Sequence, residues 1–227
     1  MKILAIIPAR GGSKGIPRKN ILEIAGKPLI AHSILTALKV KLIDKLIVST
    51  DDEEISDISK HYGADVPFLR PKDYAKDDSP GYLTALHAIS EFPSYSDILL
   101  LQPTSPLRNI EDIEGIIKLR QKSKAKSAVS VTYSWSHPEW CYTLNKNSMN
   151  LTSFLKKKDI FHNRQNLDST YIPNGALYFC NSKWLQSSKK FIGEDTKAFI
   201  MPPERSIDID SHLDWFFAEK LLEREFK

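Results

Sequence analysis

Six consecutive apolar residues, Ile3–Pro8, lie at the start of the chain and limit the folds open to it. A strand written as a continuous apolar run is buried on both faces, which is typical of parallel sheets covered by helices. The run is far shorter than the roughly 18–20 residues of a membrane-spanning helix. A basic, glycine-rich stretch follows it directly, in place of the small-residue cleavage site of a secretory signal. We therefore predict a buried first strand of an α/β sheet.

Further apolar runs alternate with segments of helical periodicity. The candidate strands are Lys45–Thr50, Val66–Leu69, Asp97–Gln102 and Ala128–Tyr133, and the candidate helices are Pro28–Val40, Asp52–Tyr62, Gly81–Phe92 and Ile110–Lys122. This alternation predicts a doubly wound, mainly parallel α/β sheet. Ligands of such sheets bind at the carboxyl ends of the strands, so the loops after the strands are expected to carry function.

The alternation stops at about residue 134 and resumes near residue 172. The intervening segment is polar, aromatic and lysine-rich, and we expect it to be an arm or lid inserted into one domain that spans residues 1–227. After it the pattern predicts three strands and a closing amphipathic helix with an apolar face. These are Ala176–Cys180, Ala198–Met201, Ser206–Asp210 and His212–Phe226, the last with Leu213, Phe216, Phe217 and Leu221 on that face.

Composition argues against several classes of protein for this sequence. The chain has 227 residues, 41% hydrophobic and 26% charged, which suits one domain with a substantial core. A net charge of +4 does not indicate a nucleic-acid or membrane partner. Cys141 and Cys180 are too few for a disulfide framework or a zinc site, and we expect free thiols in a reducing, cytoplasmic compartment.

The loop after the first strand, Ala9–Asn20, combines three glycines with four cations. Exposed backbone N–H groups and clustered Lys and Arg side chains bind polyanions, and a nucleoside triphosphate is the natural ligand. The spacing matches neither the G-x-x-x-x-G-K-[ST] loop of ATPases nor the G-x-G-x-x-G loop of dinucleotide-binding proteins. The alternative interpretation is a solvated basic turn.

Asp208 and Asp210 form a second candidate site. Residues two apart in an extended segment face the same side, where two carboxylates and phosphate oxygens can hold Mg²⁺. The alternative is that Asp210 or Ser211 caps the last helix, and the two roles are compatible.

Seven blocks of this sequence resemble those of a known family. They are IPARGGSKGIPRKN (residues 7–20), IVSTDD (47–52), FLRP (68–71), LLQPTSPLR (100–108), RQNL (164–167), PNGALY (173–178) and SIDID (206–210). In order and content they are similar to the CMP-sugar synthetases, cytidylyltransferases that activate sialic acid and related nine-carbon sugar acids. The resemblance implies a Rossmann-like nucleotidyltransferase fold, Mg²⁺ as cofactor, and a homodimer formed through the 134–172 insertion. It implies the reaction of CTP with a nonulosonic acid to give CMP-sugar and diphosphate.

The same resemblance implies roles for individual residues. Lys19 matches a position beside the α-phosphate, and Arg70 one that reads the cytosine. The implied CTP-binding residues are Arg10, Ser13, Lys14, Lys19, Asn20, Arg70 and Ser79, and the implied catalytic residues are Lys19, Arg10, Asp208 and Asp210. Asp208 and Asp210 are also the implied metal ligands, and the implied sugar contacts are Gln102, Arg164, Gln165, Tyr171 and Asn174.

One departure from the family pattern bears on the sugar. Many sialate-activating members carry a basic residue just before the PNGA block, where this chain has Ile172. A more apolar pocket suits a deoxy, diacetamido sugar such as legionaminate, whose product would serve cell-surface polysaccharide biosynthesis. Two alternatives stay open: a synthetase for the eight-carbon acid Kdo, and a catalytically silent nucleotide-binding relative.

Overall fold

The computed structural model describes residues 1–13, 15–74, 80–155 and 167–225. The strands are β1 (Ile3–Pro8), β2 (Glu23–Ile24), β3 (Lys27–Pro28), β4 (Lys45–Ser49), β5 (Asp97–Leu101), β6 (Ser127–Tyr133), β7 (Tyr142–Leu144), β8 (Leu151–Ser153), β9 (Tyr171–Asn181) and β10 (Lys197–Ile200). The helices are α1 (Leu29–Leu38), α2 (Glu53–His61), α3 (Gly81–Glu91), α4 (Ile110–Ser123), α5 (Ser182–Ser188) and α6 (His212–Glu225).

A six-stranded sheet of order β10-β6-β9-β5-β1-β4 organises the molecule. β1 runs parallel to β4 and β5, and β10 runs parallel to β6. β9 is antiparallel to both of its neighbours, β5 and β6. The predicted mainly parallel α/β sheet is therefore confirmed, with one antiparallel strand that the sequence pattern did not reveal.

Helices cover both faces of the sheet, as a doubly wound fold requires. Along β1, Ile3, Ala5 and Ile7 pack toward α1, α2 and α4, while Leu4 and Ile6 pack toward α3 and α5. All five side chains are almost fully buried. Full burial of a large aliphatic side chain contributes about 1.5–3 kcal/mol, so this opening run stabilises both layers.

Two predicted strands do not form. Val66–Leu69 contributes no strand, and this stretch of chain touches the sheet only through single bridges that pair Asp65 with Ile47 and Leu69 with Thr50. Pro67 lies between them and has no backbone N–H to donate to a ladder. Ser206–Asp210 is an irregular segment that crosses the loop after β5, where the Ile209 N–H donates to the Thr104 carbonyl at 2.8 Å.

The closing helix α6 forms where expected, but three of the four residues predicted on its apolar face are exposed. Ala218 and Leu222 are buried in one cluster with Ile24 and Ile209, and Trp215 and Leu221 are partly buried beside them. Leu213, Phe216 and Phe217 are instead at least half exposed. These three apolar residues lie outside the stripe of α6 that packs against the cluster, and periodicity alone does not show which stripe will be covered.

Between β6 and β9 the described part of the segment projects from the sheet. It contains a short 3-10 turn, Pro138–Trp140, and the two-stranded hairpin β7–β8. Most apolar side chains of this hairpin are exposed. None of the helices in the described ranges has the length and apolar content needed to cross a bilayer.

Candidate functional site

A cavity of about 430 Å³ lies at the carboxyl ends of β1 and β5, the edge where the alternating pattern places ligands. Its walls come from the loop after β1, the segment around residue 70, α3, the loop after β5 and the acidic SIDID segment. The lining residues are Pro8, Arg10, Ser13, Gly15, Lys19, Asn20, Arg70, Tyr74, Gly81, Thr84, Leu100, Gln102, Pro103, Thr104, Asp208 and Asp210.

Side-chain contacts fix the loop after β1. The Asn20 amide donates to the Arg10 carbonyl at 3.1 Å, and the Gly11 N–H donates to the Asp51 carboxylate at 3.1 Å. Arg18 has left-handed backbone geometry, with φ of 56°, and its guanidinium pairs with Asp52 and Glu54. Arg18 is therefore not one of the cations that line the cavity.

Lys19 lies at the centre of the positive side of the site. The residue is only 8% exposed, although it carries a charge. Its Nζ donates to the Ile209 carbonyl and, at 3.1 Å, to the Asp210 carboxylate. These contacts hold the ammonium group at the junction between the loop after β1 and the acidic segment, where it faces the cavity.

Arg70 is a second buried cation in the cavity wall. Its Nη1 donates to the Thr84 hydroxyl on α3 at 2.7 Å, and its Nη2 lies 3.9 Å from the Asp51 carboxylate. Burial lowers the pKa of this guanidinium below its usual value, while Asp51 opposes that change and Arg10 adds to it. Positive charge held in a poorly solvated wall favours an anionic ligand.

The acidic pair lies opposite these cations. Asp208 is partly buried, and burial raises the pKa of its carboxyl, with a smaller contribution from Asp210; the Thr104 hydroxyl bonds the carboxylate and opposes this. Its Oδ1 is buried and has no hydrogen-bond partner among the described residues. Buried acceptors in native sites are normally satisfied, so this oxygen has the character of a cation ligand. Asp210, by contrast, has an 81% exposed side chain.

Two of the predicted sugar contacts lie away from the cavity. Tyr171 begins β9 and packs edge-to-face on Tyr133, with ring centroids 6.3 Å apart. Asn174 is buried, where its amide donates to the Ser206 hydroxyl at 2.8 Å and accepts from Ser130 at 2.6 Å. The structure therefore gives Asn174 a role in holding the acidic segment against β9.

The structure brings together eight of the predicted site residues, which all line the cavity: Arg10, Ser13, Lys19, Asn20, Arg70, Gln102, Asp208 and Asp210. Four others, Lys14, Ser79, Arg164 and Gln165, lie outside the described residues.

Sequence reasoning missed Arg108, a residue just beneath the site. It is fully buried and donates to the carbonyls of Gln102, at 2.7 Å, and Ala176, at 3.0 Å, and to Ser33 Oγ. Burial lowers its pKa to about 9, an effect that Asp112 and then Asp208 oppose. Its position at the end of the LLQPTSPLR block was the only sign of its importance in the sequence. That position does not show whether the side chain supports the fold or binds a ligand.

The family model for cytidylyltransferases matches residues 4–196 of this chain, a range that includes most of the cavity lining. This chain belongs to the cytidylyltransferase family. Relatives that match over most of its length confirm the resemblance read from the seven blocks.

This cytidylyltransferase is 38% identical to a CMP-N,N'-diacetyllegionaminic acid synthase of Legionella pneumophila, over 98% of this chain and 97% of that protein. It is 39% identical to an N-acylneuraminate cytidylyltransferase of Escherichia coli, over 96% of this chain and 51% of that protein. It is 36% identical to a pseudaminic acid cytidylyltransferase of Campylobacter jejuni, over 97% of this chain and 96% of that protein.

Solved structures confirm the nucleotidyltransferase fold of the cytidylyltransferase. A CMP:2-keto-3-deoxy-manno-octonic acid synthetase complexed with CTP superimposes with a TM-score of 0.75 at 17% identity, covering 99% of this chain and 100% of that one. A 4-diphosphocytidyl-2C-methyl-D-erythritol synthase from Anaerococcus prevotii gives 0.67 at 18% identity, covering 98% and 99%. At such identities the similarity extends to the fold alone.

Proposed function

We propose that this cytidylyltransferase joins CTP to a nonulosonic acid and releases diphosphate. One observation carries the proposal: buried Lys19 and Arg70 and the carboxylates of Asp208 and Asp210 line one cavity at the carboxyl edge of the sheet. Cations suit a triphosphate, and the acidic pair suits a divalent ion between carboxylate and phosphate oxygens. The full-length relatives that act on nine-carbon sugar acids support the sugar class.

In the proposed reaction the anomeric hydroxyl oxygen of the sugar bonds to the α-phosphorus of CTP. The bond from that phosphorus to the bridging oxygen of the diphosphate breaks, and the hydroxyl proton is released. Lys19 stabilises the negative charge that grows on the α-phosphate oxygens, Arg10 and Ser13 bind the phosphate tail, and Arg70 holds the base. Such transfer depends on positioning and charge, which fits a cavity whose described lining contains no cysteine or histidine.

Asp208 and Asp210 are the proposed ligands of Mg²⁺. The buried Oδ1 of Asp208, which has no hydrogen-bond partner among the described residues, and the exposed carboxylate of Asp210 fit a hard cation. Within the described ranges no three carboxylate, histidine or cysteine side chains cluster as a metal site, so phosphate oxygens would complete the coordination. When bound, the ion would polarise the phosphate and lower the pKa of a bound hydroxyl.

The substrate proposal is narrower than the reaction class. Ile172 is 48% exposed at the start of β9, a position where many sialate-activating relatives have a basic residue. An uncharged side chain there favours a deoxy, diacetamido sugar of the legionaminate type over N-acetylneuraminate. Sequence identity does not separate the two sugars, because it is 38% with the Legionella enzyme and 39% with the N-acylneuraminate enzyme, so the narrower proposal rests on Ile172.

A panel assay tests both levels of the proposal. Diphosphate release is measured with CTP, UTP or GTP against legionaminate, pseudaminate, N-acetylneuraminate and Kdo. We expect activity with CTP alone and the highest kcat/KM for legionaminate. A clear preference for N-acetylneuraminate would refute the narrower proposal, a preference for Kdo would refute the nonulosonate class, and no diphosphate with any pair would indicate a silent relative.

The proposal includes a homodimer and a cytoplasmic location. The exposed apolar side chains of the 134–172 segment support association with a second copy. Cys141 and Cys180 are free thiols, in keeping with a reducing compartment.

A further inference from the structure

The acid loop, residues 202–210, carries Asp208 and Asp210 and has no regular secondary structure of its own except one 3-10 turn, Pro203–Arg205. Its geometry therefore depends on contacts with other elements. Asn174 on β9 holds Ser206, and the Thr104 carbonyl accepts the Ile209 N–H. Both contacts involve a single hydrogen bond.

The acid loop is also held by Lys19, which donates to the Ile209 carbonyl and the Asp210 carboxylate, and by one paired contact. The guanidinium of Arg205 donates from Nε to Asp112 Oδ2 at 2.9 Å and from Nη2 to Asp112 Oδ1 at 3.0 Å. The Asp112 side chain is 3% exposed and that of Arg205 is 28% exposed. Two parallel hydrogen bonds between a planar fork and a carboxylate fix direction as well as distance, which one lysine ammonium cannot do. Neither residue lines the cavity.

Asp112 is itself a rigid partner. Its carboxylate also accepts from the Asn109 N–H at 3.1 Å, and the Asn109 side chain accepts from the Asp112 N–H at 2.9 Å, a capping box at the start of α4. Ile113 and Ile116, on the first turns of this helix, are fully buried under the sheet. The Arg205 guanidinium is therefore held in a fixed position relative to the core of the molecule.

We infer that Asp112 and Arg205 are a positioning pair, which fixes the acid loop so that the carboxylates of Asp208 and Asp210 meet the bound nucleotide and metal in one arrangement. This inference rests on the proposed function, because it assigns the two carboxylates to metal binding. A residue of α4 outside the cavity, Asp112, would then set the position of the proposed metal ligands. Breaking the pair leaves every proposed ligand in the chain and loosens the loop that presents two of them.

The test uses Arg205→Gln, Arg205→Lys and Asp112→Asn in the full chain. Asp112→Asn keeps a side-chain oxygen that can accept from the Asn109 N–H, so the helix cap persists in this variant. It therefore serves as the test if Arg205→Gln fails to fold. Glu114→Gln is the matched control, because Glu114 lies on the same helix and pairs with Lys118 at the surface, away from Arg205. Three quantities are measured for each variant: CTP affinity by calorimetry in EDTA, Mn²⁺ affinity of the enzyme–CTP complex by electron paramagnetic resonance, and kcat with KM.

We expect Arg205→Gln and Asp112→Asn to weaken Mn²⁺ binding and lower kcat by about 10–100-fold, the usual effect of removing a group that orients metal ligands. CTP affinity in EDTA should stay within about twofold, because Arg10, Ser13 and Arg70 lie outside the acid loop and still line the cavity. Arg205→Lys should lie between these variants and wild type, and Glu114→Gln should match wild type. Wild-type Mn²⁺ affinity and kcat in a folded Asp112→Asn would overturn the inference, as would an equal loss of CTP affinity in EDTA.

The two proposals fail in different ways. Wild-type enzyme that binds Mn²⁺ with CTP but releases no diphosphate with any sugar acid would refute the proposed function, and the variants would still decide the role of the pair. Wild-type transfer activity with unaltered Mn²⁺ binding in all three variants would refute the positioning role alone.

Discussion

At the residue scale, the site depends on two ionisable side chains, Lys19 and Asp208, that are largely removed from water. The ammonium group of Lys19 is almost fully buried and is held by the Ile209 carbonyl and the Asp210 carboxylate. These partners compensate for lost hydration and fix the charge before a substrate arrives. Asp208 differs from Lys19 in this respect, because its buried Oδ1 has no hydrogen-bond partner among the described residues.

Replacing Lys19 by alanine removes the charge proposed to stabilise the α-phosphate. We expect kcat for diphosphate release to fall by about 10²–10³-fold, as happens when one preorganised donor is lost. CTP affinity should fall much less, because Arg10, Ser13 and Arg70 still line the cavity. Steady-state kinetics and calorimetry measure the two effects, and unchanged turnover would remove Lys19 from the mechanism.

Asp208→Asn is expected to lower kcat by about 100-fold or more and to raise the melting temperature in EDTA at neutral pH. Burial raises the pKa of the Asp208 carboxyl in the folded chain, so the charged form opposes folding above that pKa. This penalty disappears as the pH falls below 3.8, the value for an ordinary aspartate, and the two melting temperatures should converge there.

The matched variant for this measurement is Asp65→Asn. The Asp65 side chain is 48% exposed and pairs with Lys45 near the surface, so its melting temperature at neutral pH should stay close to that of wild type. A lower melting temperature for Asp208→Asn than for wild type at neutral pH would contradict the burial argument.

At the element scale, β9 links the sheet to the acid loop. Its pairing with β6 shifts register between Val129 and Val131, next to Asn174 and Gly175. Gly175 has φ of 77°, and a Cβ there would lie 2.8 Å from Asp208 Oδ2. Only glycine combines this backbone conformation with so close an approach. The bulge in β9 therefore makes room for one of the two proposed metal ligands.

A pair of glycine variants separates backbone strain from displacement of Asp208. Gly26, in the turn between β2 and β3, has φ of 78°, and a Cβ there would meet nothing within 4 Å. Gly175→Ala and Gly26→Ala should both lose about 1–2 kcal/mol of stability from the left-handed conformation. Only Gly175→Ala should also lose transfer activity, by about tenfold or more. Chemical denaturation and kinetics measure the two quantities, and equal activities would refute the link to Asp208.

At the scale of the whole molecule, apolar surface is concentrated in the segment between β6 and β9. Trp135 is 72% exposed, and Leu151 and Phe154 are each more than 60% exposed. Clustered exposed apolar side chains on one projection indicate a surface covered in an assembly.

Leu151→Asp tests the proposed dimer. A carboxylate on β8 would lie in the apolar contact and would be desolvated there, so we expect sedimentation equilibrium to show a monomer where wild type is a dimer. Ile192→Asp is the control, because Ile192 is a similarly apolar, exposed residue outside the segment, and its mass should equal that of wild type. A monomeric wild type would refute the dimer, and a dimeric Leu151→Asp would place the contact elsewhere.

Hydrophobic periodicity was sufficient for the mainly parallel sheet and for five of the six helices in the described residues, because buried strands and amphipathic helices have distinct repeats. Ile3–Pro8 illustrates this, since six apolar residues in a row fit only a strand covered on both sides. Periodicity did not reveal α5 or the antiparallel direction of β9. The resemblance of the seven blocks correctly indicated the family, and eight of the ten predicted site residues that the structure describes line the cavity. The loops after β1 and β5 could be singled out without this resemblance, because each follows a strand end, where ligands bind.

Tertiary structure alone decided the direction of individual side chains and the partners of charges. Arg18 and Lys19 are neighbours with the same charge, yet Arg18 pairs with Asp52 and Lys19 faces the cavity. Arg205 meets Asp112 across 93 positions of sequence. Such pairings depend on packing between elements far apart in the chain, and no local repeat in the sequence encodes which distant element will lie beside a residue.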